Sequence, residues 1–303
     1  MPSMKRDFLT LKDLTPAELT AVVHRASELK KTSFNSATTE LLRSRAIVLI
    51  FEKSSTRTRV SFEVACAQFG GSSIFLSPGD SQMSRGESIS DTAQIVSRMA
   101  DLIVMRTGAH ARLETMAEHS AVPVINALSD DFHPCQLLAD LQTFNEHRGD
   151  IRDAKIAFVG DGSSNVCHSW INASSMMQFS ITVGTPPQYH PKPEIASAAG
   201  ARCKVTDNVS EAVKDADLVI TDTWAGMGQE KEKAERLALL SAFQVNTEVM
   251  DSAAPDAIFM HCLPAYRGQE VTADVIDGPK SVVFDEAENR LHAQKALIEL
   301  LMS

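Results

Sequence analysis

Short apolar runs rich in valine and isoleucine recur along the chain, each followed by a polar loop and then by a helical stretch. "AIVLIF" (46–51) precedes "EKSSTRTR", "ADLIVM" (100–105) precedes Arg106 and Thr107, and "VPVIN" (122–126) precedes "ALSDDFHPCQLLADL". Further on, "KIAFVG" (155–160) leads into "DGSSNVCHS", "ADLVIT" (216–221) into "DTWAGMGQE", and "DAIFMH" (256–261) into "CLPAYRG". Runs of this kind suit strands of a parallel sheet covered by helices on both faces, so the alternation predicts an α/β fold. The charged connection "EHRGDIRDAK" (146–155) separates the third unit from the fourth. Two doubly wound parallel-sheet domains are therefore expected, residues 1–148 and 149–288. Ligands of such folds bind outside the carboxyl ends of the strands, where these polar loops fall. Ahead of the first run, Thr15-Pro16-Ala17-Glu18 offers an N-cap, a proline at N1 and a glutamate at N3, which predicts a helix over "LTAVVHRASELKK".

Length and charge narrow the function. A chain of 303 residues is long enough for two domains. Its net charge of −10 argues against nucleic acid or an anionic membrane as partner, since both call for a basic face. The longest apolar run is far too short to cross a bilayer, and "MPSMKRDFLTLKDL" has neither the apolar core of a signal peptide nor the composition of a transit peptide. Five cysteines without CxxC spacing signal neither a disulfide framework nor a zinc site, and fit a reduced cytoplasm.

Against that acidic background, Lys53, Ser54, Ser55, Thr56, Arg57, Thr58 and Arg59 form a local basic, hydroxyl-rich cluster just after a strand. Ser54, Ser55 and Thr56 are N-cap residues, and Val60, Val64 and Ala67 lie at i, i+4, i+7 on a helix expected to end at Gly70-Gly71. Unpaired N–H groups and a positive dipole end, joined by hydroxyls and guanidinium groups, describe a phosphate cradle. GxxxxGK[ST] is absent, so no nucleoside triphosphate is implied. "GDGSSN" (160–165) approaches a dinucleotide fingerprint but lacks its third glycine, and "SITVGTPPQ" ends without the acidic residue that would hold a ribose. An NAD-dependent oxidoreductase is the rival from another class.

Ser55-Thr56-Arg57-Thr58-Arg59, "HPCQ" (133–136), "DTWAGMG" (222–228), "HCLPAYRG" (261–268) and "FDEAENRLHAQKAL" near the C-terminus resemble, in order, the aspartate/ornithine transcarbamylase family, and most closely its members that act on ornithine. The resemblance implies a carbamoyl-phosphate domain completed by the C-terminal helix (about 289–303), an amine-binding domain, an active site in the cleft between them, and a homotrimer with sites shared between subunits. It implies transfer of the carbamoyl group to the side-chain amine of L-ornithine, giving citrulline and phosphate, with another diamine such as putrescine as the alternative. No metal or cofactor is implied. By position, Ser55, Thr56, Arg57 and Thr58 would hold the phosphate, with Gln82 reaching it from a neighbouring subunit. Arg106 and His133 would join Thr58 at the carbamoyl carbonyl, Gln136 would take the carbamoyl NH2, and Arg290 would complete the carbonyl and phosphate side. Asn165 and Asp222 would grip the amino-acid end, the backbone at Gly226 and Met227 would close over it, and Cys262 with Leu263 would lie near the attacking amine and the carbamoyl NH2. The charged, glycine-bearing "AGMGQEKEKAER" (225–236) is expected to be a lid. Gly226 stands where the family usually has serine, and Ser164 where asparagine is common, which bears on the choice of amine.

Overall fold

A computed structural model describes residues 5–32, 40–224 and 233–302. The chain forms two compact units, one from residues up to Gln142 together with those from Glu288 onward, the other Thr143–Ala287. In the first, strands β1 (Ala46–Phe51), β2 (Ser72–Leu76), β3 (Leu102–Arg106) and β4 (Val124–Leu128) form an all-parallel sheet in the order β2-β1-β3-β4. Helices α1 (Pro16–Lys31), α2 (Thr56–Gln68), α3 (Ile89–Val96), α4 (His110–His119) and α5 (Pro134–Arg148) intervene, and α5 passes into the second unit. In that unit β5 (Lys155–Val159), β6 (Ser180–Gly184), β7 (Cys203–Thr206), β8 (Leu218–Thr221) and β9 (Ile258–His261) are again all parallel, in the order β7-β6-β5-β8-β9. Its helices are α6 (Asn165–Met177), α7 (Pro193–Ala199), α8 (Val209–Val213), α9 (Lys233–Leu240), α10 (Thr247–Asp251) and α11 (Ala273–Ile276). The last helix, α12 (Val283–Met302), carries the chain back into the first unit.

The doubly wound character follows from burial. Val48 and Ile50 of β1 face a core shared with Ala93 of α3 and with Leu113 and Met116 of α4, while Ile47, Leu49 and Phe51, pointing the other way, are buried equally well. Both faces of the strand are covered, which is why its sequence is apolar without alternation. From Glu288 on, α12 docks onto α1 and α2. Arg25 forks onto Glu299 at 2.6 and 3.0 Å, Lys30 bonds Asn289 at 2.8 Å, and Lys295 reaches Gln68 at 2.8 Å.

The predicted N-terminal helix begins as expected. Thr15 caps α1 and closes a capping box with Glu18. Helix α2 also lies where predicted. Val60 is 52% exposed and Ala67 exposed, whereas Thr58, Ser61, Phe62, Ala65 and Cys66 are buried. Two of the inward positions are polar: Thr58, and Ser61, whose hydroxyl donates back to the carbonyls of Arg57 and Thr58. Strands β2 and β7 were not anticipated. Each is a sheet edge with half-exposed side chains, so neither carries a continuous apolar run.

The buried face of α2 makes a testable difference. Phe62→Ala should cost roughly 3–5 kcal/mol in a denaturant melt, and Ala67→Ser should stay within about 0.5 kcal/mol.

Candidate active site

In each sheet the order reverses beside the first strand, and the loops that follow the strands on either side of that switch carry the chemistry. Ser55–Thr58 follow β1, Arg106 ends β3 and His133 follows β4. In the second unit Asn165 opens the helix after β5, Asp222 follows β8 and Cys262 follows β9.

Ser55 is the N-cap of α2. Its hydroxyl accepts from the Thr58 N–H at 3.4 Å and donates to Thr58 Oγ1 at 2.9 Å. No acidic residue occupies the first turn, so the positive helix end is not neutralised by its own sequence. Arg59 is engaged elsewhere: it pairs with Glu63 at 3.0 Å and lies 3.8 Å over the Phe75 ring. Arg290 of α12 donates to Gln136 Oε1 at 2.6 Å and to Thr58 Oγ1 at 3.1 Å, and all three residues are buried. Gln136 in turn donates to Asp140 at 2.8 Å.

His133 is the electrostatic centre of this group. Burial pushes its imidazole well below the ordinary value, and the guanidinium charges of Arg290, Arg106 and Arg57 push it further the same way. Three separate arginines therefore converge on one neutral histidine. A neutral imidazole can still donate one N–H, so the cluster offers both charge and directed donors to an anionic ligand with a polar carbonyl.

The base of Arg106 is held by residues the sequence did not single out. The Glu52 N–H donates to the Arg106 carbonyl at 2.8 Å and the Thr107 N–H to that of Leu128 at 3.0 Å, at a bulge between Met105 and Arg106. The Glu52 carboxylate accepts from Thr107 Oγ1 and from both Nε and Nη2 of Arg112. Glu52 lies inside the "FEKSSTRT" motif, yet only the fold brings Thr107 and Arg112 to it. Gln82 opens a short 3-10 turn on an exposed loop, where its side-chain oxygen accepts from Arg85 at 3.5 Å.

The second unit assembles a different chemistry. Asp222 Oδ1 accepts from the Thr223 N–H at 2.7 Å and from the Cys262 thiol at 3.2 Å. Loss of hydration raises the Asp222 carboxyl above its ordinary value, with His261, Cys262 and Thr223 opposing. His261 Nδ1 accepts from the Leu263 N–H at 2.9 Å, so the ring proton sits on Nε2, 3.2 Å from the wholly buried Glu270. Leu263, at φ 56° in the left-handed region, is held there by that bond. Ligand atoms of Asp222, His261 and Cys262 lie within 4.8 Å of one another, but both imidazole nitrogens are already committed to hydrogen bonds. Asn165 begins α6 behind the Ser164 cap, which accepts from Cys167 N–H at 3.2 Å. Asp161 in the same loop pairs with the buried Arg236, which also donates to the Trp224 carbonyl at 2.6 Å. Gly226 and Met227, with most of the lid expected over 225–236, fall in 225–232, outside the described residues; its last four positions open α9, where Arg236 is buried.

The glycines of "GDGSSN" do not make room for a dinucleotide. A Cβ on Gly160 would stand 2.8 Å from the Trp224 ring nitrogen, and one on Gly162 would stand 2.8 Å from the Tyr189 carbonyl. The space is filled by the protein's own atoms.

Residues 6–146 match the family described as aspartate/ornithine carbamoyltransferase, carbamoyl-P binding domain, and residues 152–301 its Asp/Orn binding domain. The chain belongs to the aspartate/ornithine carbamoyltransferase family. An ornithine carbamoyltransferase of Methylococcus capsulatus is 54% identical over 98% of this chain and 99% of its own. The anabolic ornithine carbamoyltransferase of Pseudomonas aeruginosa is 52% identical over 98% and 97%. Among solved structures, the ornithine carbamoyltransferase from Pyrococcus furiosus superposes with a TM-score of 0.93 at 46% identity, covering 98% of this chain and 97% of that one. The two matched domains correspond to the two clusters, one rich in guanidinium and hydroxyl groups, the other built on a carboxylate and a thiol.

The raised Asp222 carboxyl has a measurable consequence. A group that holds its proton more tightly folded than unfolded destabilises the fold once pH exceeds its folded value, and the penalty disappears below the ordinary carboxylate value. Asp222→Asn should therefore melt at a higher temperature than the parent at pH 7, with the gap closing as pH falls toward 4, by calorimetry. A variant that melts lower at pH 7 would contradict the assignment.

Proposed function

We propose that the protein transfers the carbamoyl group of carbamoyl phosphate to the δ-amine of L-ornithine, releasing citrulline and phosphate. The observation that carries this reading is the convergence of Arg57, Arg106 and Arg290 on a buried, neutral His133 beside the capped N-terminus of α2. In this reading Ser55, Thr56, Arg57 and Thr58 hold the phosphate. Arg106, His133, Thr58 and Arg290 donate toward the carbamoyl oxygen, and Gln136 accepts from the carbamoyl NH2. As the amine attacks, that oxygen gains negative charge, and donors aimed at it bind the tetrahedral state more tightly than the ground state. The intermediate collapses with loss of phosphate, which carries off the amine's proton.

Asn165 and Asp222 take the α-amino-acid end of ornithine, and Cys262 with Leu263 borders the attacking amine. The Cys262 thiol, already donating to Asp222, serves as a hydrogen-bonded wall of this pocket. Gly226 and Met227 close over the amino acid. The relatives above half identity are ornithine enzymes by name, which favours ornithine over putrescine. An oxidoreductase finds no support in the filled glycine loop.

A homotrimer is part of the proposal. Of the six exposed large apolar residues among those described, Val60, Ile74, Ile95 and Met99 lie in the first unit, and Ile74 sits on the open edge strand β2. Burial against copies of the chain would cover them, and would let Gln82 of one subunit serve the phosphate of another. Five free thiols fit a reducing cytoplasm, and among the described residues no helix is long and apolar enough to cross a membrane.

Four outcomes test this. Citrulline should form rapidly with carbamoyl phosphate and L-ornithine, and poorly with putrescine, N-acetylornithine or aspartate. Arg106→Ala should lower kcat by roughly 100- to 1000-fold; activity confined to another amine would overturn the choice of substrate. Because His133 stays neutral, the rate should rise from pH 6 to 9 with the fraction of ornithine whose δ-amine is uncharged, and His133→Asn should lower kcat without changing that slope. Light scattering should give three times the mass of the chain, and Ile74→Asp should reduce it.

A further inference from the structure

Two buried side chains at and after the end of β9 take no part in the reaction above. His261 closes the strand, Glu270 lies nine residues on, and neither is exposed to solvent. The Leu263 N–H donates to His261 Nδ1 at 2.9 Å, so Nε2 holds the ring proton and donates to Glu270 Oε1 at 3.2 Å. The same Glu270 oxygen accepts from the Tyr266 N–H at 2.5 Å. Glu270 is itself anchored through its backbone: its carbonyl accepts from the Val245 N–H at 2.9 Å, and the Val245 carbonyl accepts from the Thr272 N–H at 3.0 Å. The turn from Cys262 to Tyr266 is thus tied near both ends to one buried pair. Within that turn, two bonds reach the loop after β8. The Cys262 thiol donates to Asp222 at 3.2 Å, and the Thr223 hydroxyl donates to the Pro264 carbonyl at 2.8 Å.

We propose that Glu270 is a positioning residue for the amine site: one of its oxygens, holding the His261 ring and the Tyr266 backbone together, sets the Cys262–Leu263 turn against Asp222 in the form that takes the amino acid. This rests on the reading above that Asp222, Cys262 and Leu263 border the amine substrate. Leu263 stands at φ 56°, a conformation that a residue with a side chain leaves unless its surroundings hold it. Glu270 supplies that hold, because without its oxygen two N–H donors lose their acceptor unless the turn shifts. A turn free to shift is competent only part of the time, and a ligand that binds the competent form alone is weakened by that fraction. Saturating ligand draws the turn back. The signature is therefore a raised KM for ornithine with kcat nearly kept, whereas a smaller folded fraction lowers kcat and leaves KM alone.

The test compares wild type, Glu270→Leu and Glu270→Gln as full-length enzymes at saturating carbamoyl phosphate. Leucine removes the acceptor and should raise the KM for L-ornithine by about tenfold, the scale of one buried group left unsatisfied, with kcat within about threefold. Glutamine keeps an oxygen and should hold that KM within about threefold of wild type. Inorganic phosphate, competing with carbamoyl phosphate, should inhibit all three alike, since its cradle is built on α2. Nitrogen magnetic resonance of the wild-type enzyme, read at His261, should show a ring protonated at Nε2 and bare at Nδ1. A ring protonated at Nδ1 would overturn the inference whether or not the variants fold. An unchanged ornithine KM in Glu270→Leu would also overturn it, as would a glutamine variant that behaves like the leucine one, or failure of both to fold, which would assign Glu270 to the core alone. Wild type that forms no citrulline from ornithine would instead remove the reading of this pocket, and this inference with it.

Discussion

Confining three guanidinium groups around one imidazole is the constraint on which the first unit is organised. Like charges in a buried place repel, and each loses hydration, so the arrangement persists only because neighbouring groups compensate. Arg290 is bonded to the Gln136 oxygen and the Thr58 hydroxyl, and Asp140 lies behind Gln136. His133 adapts by staying neutral, which removes a fourth positive charge from the cluster. What remains is an excess of donors and positive charge, in a form that an anionic substrate completes. Donors held in place by such bonds need little reorientation when negative charge develops beside them.

The second unit solves an opposite problem with the same scaffold. Its loops after β8 and β9 bring a carboxylate and a thiol together, and the cost appears as a carboxyl held above its ordinary value. Its rigidity comes from groups that never approach a ligand in the proposed reaction. Glu270 fixes the His261 proton, His261 fixes the Leu263 backbone, and Arg236 ties the Asp161 loop to the Trp224 carbonyl. Parallel strands make this economical, since every carboxyl end opens on the same edge of its sheet.

The polar, charge-bearing clusters sit in loops directly after apolar strands, and this is why they stand out in the sequence. A strand of β1's composition announces its own end, and a run such as "EKSSTRTR" placed there is conspicuous. The same logic failed for β2 and β7. Edge strands bury one side only partly, and their mixed composition looks like loop. On α2, Thr58 and Ser61 point inward although they are polar, so apolar spacing alone does not mark its buried face.

The sequence by itself determined the alternation of strands and helices, the capped starts of α1 and α2, and the motifs that place the chain in its family. These are local properties: side-chain branching, capping and spacing act over a few residues. Tertiary structure alone decided that Arg59 stacks on Phe75, that Arg290 reaches Thr58 from 232 positions away, and that Thr107 and Arg112 share the Glu52 carboxylate. Such contacts depend on the order in which strands pair, and nothing in a linear spacing specifies which distant side chain arrives first at a buried partner.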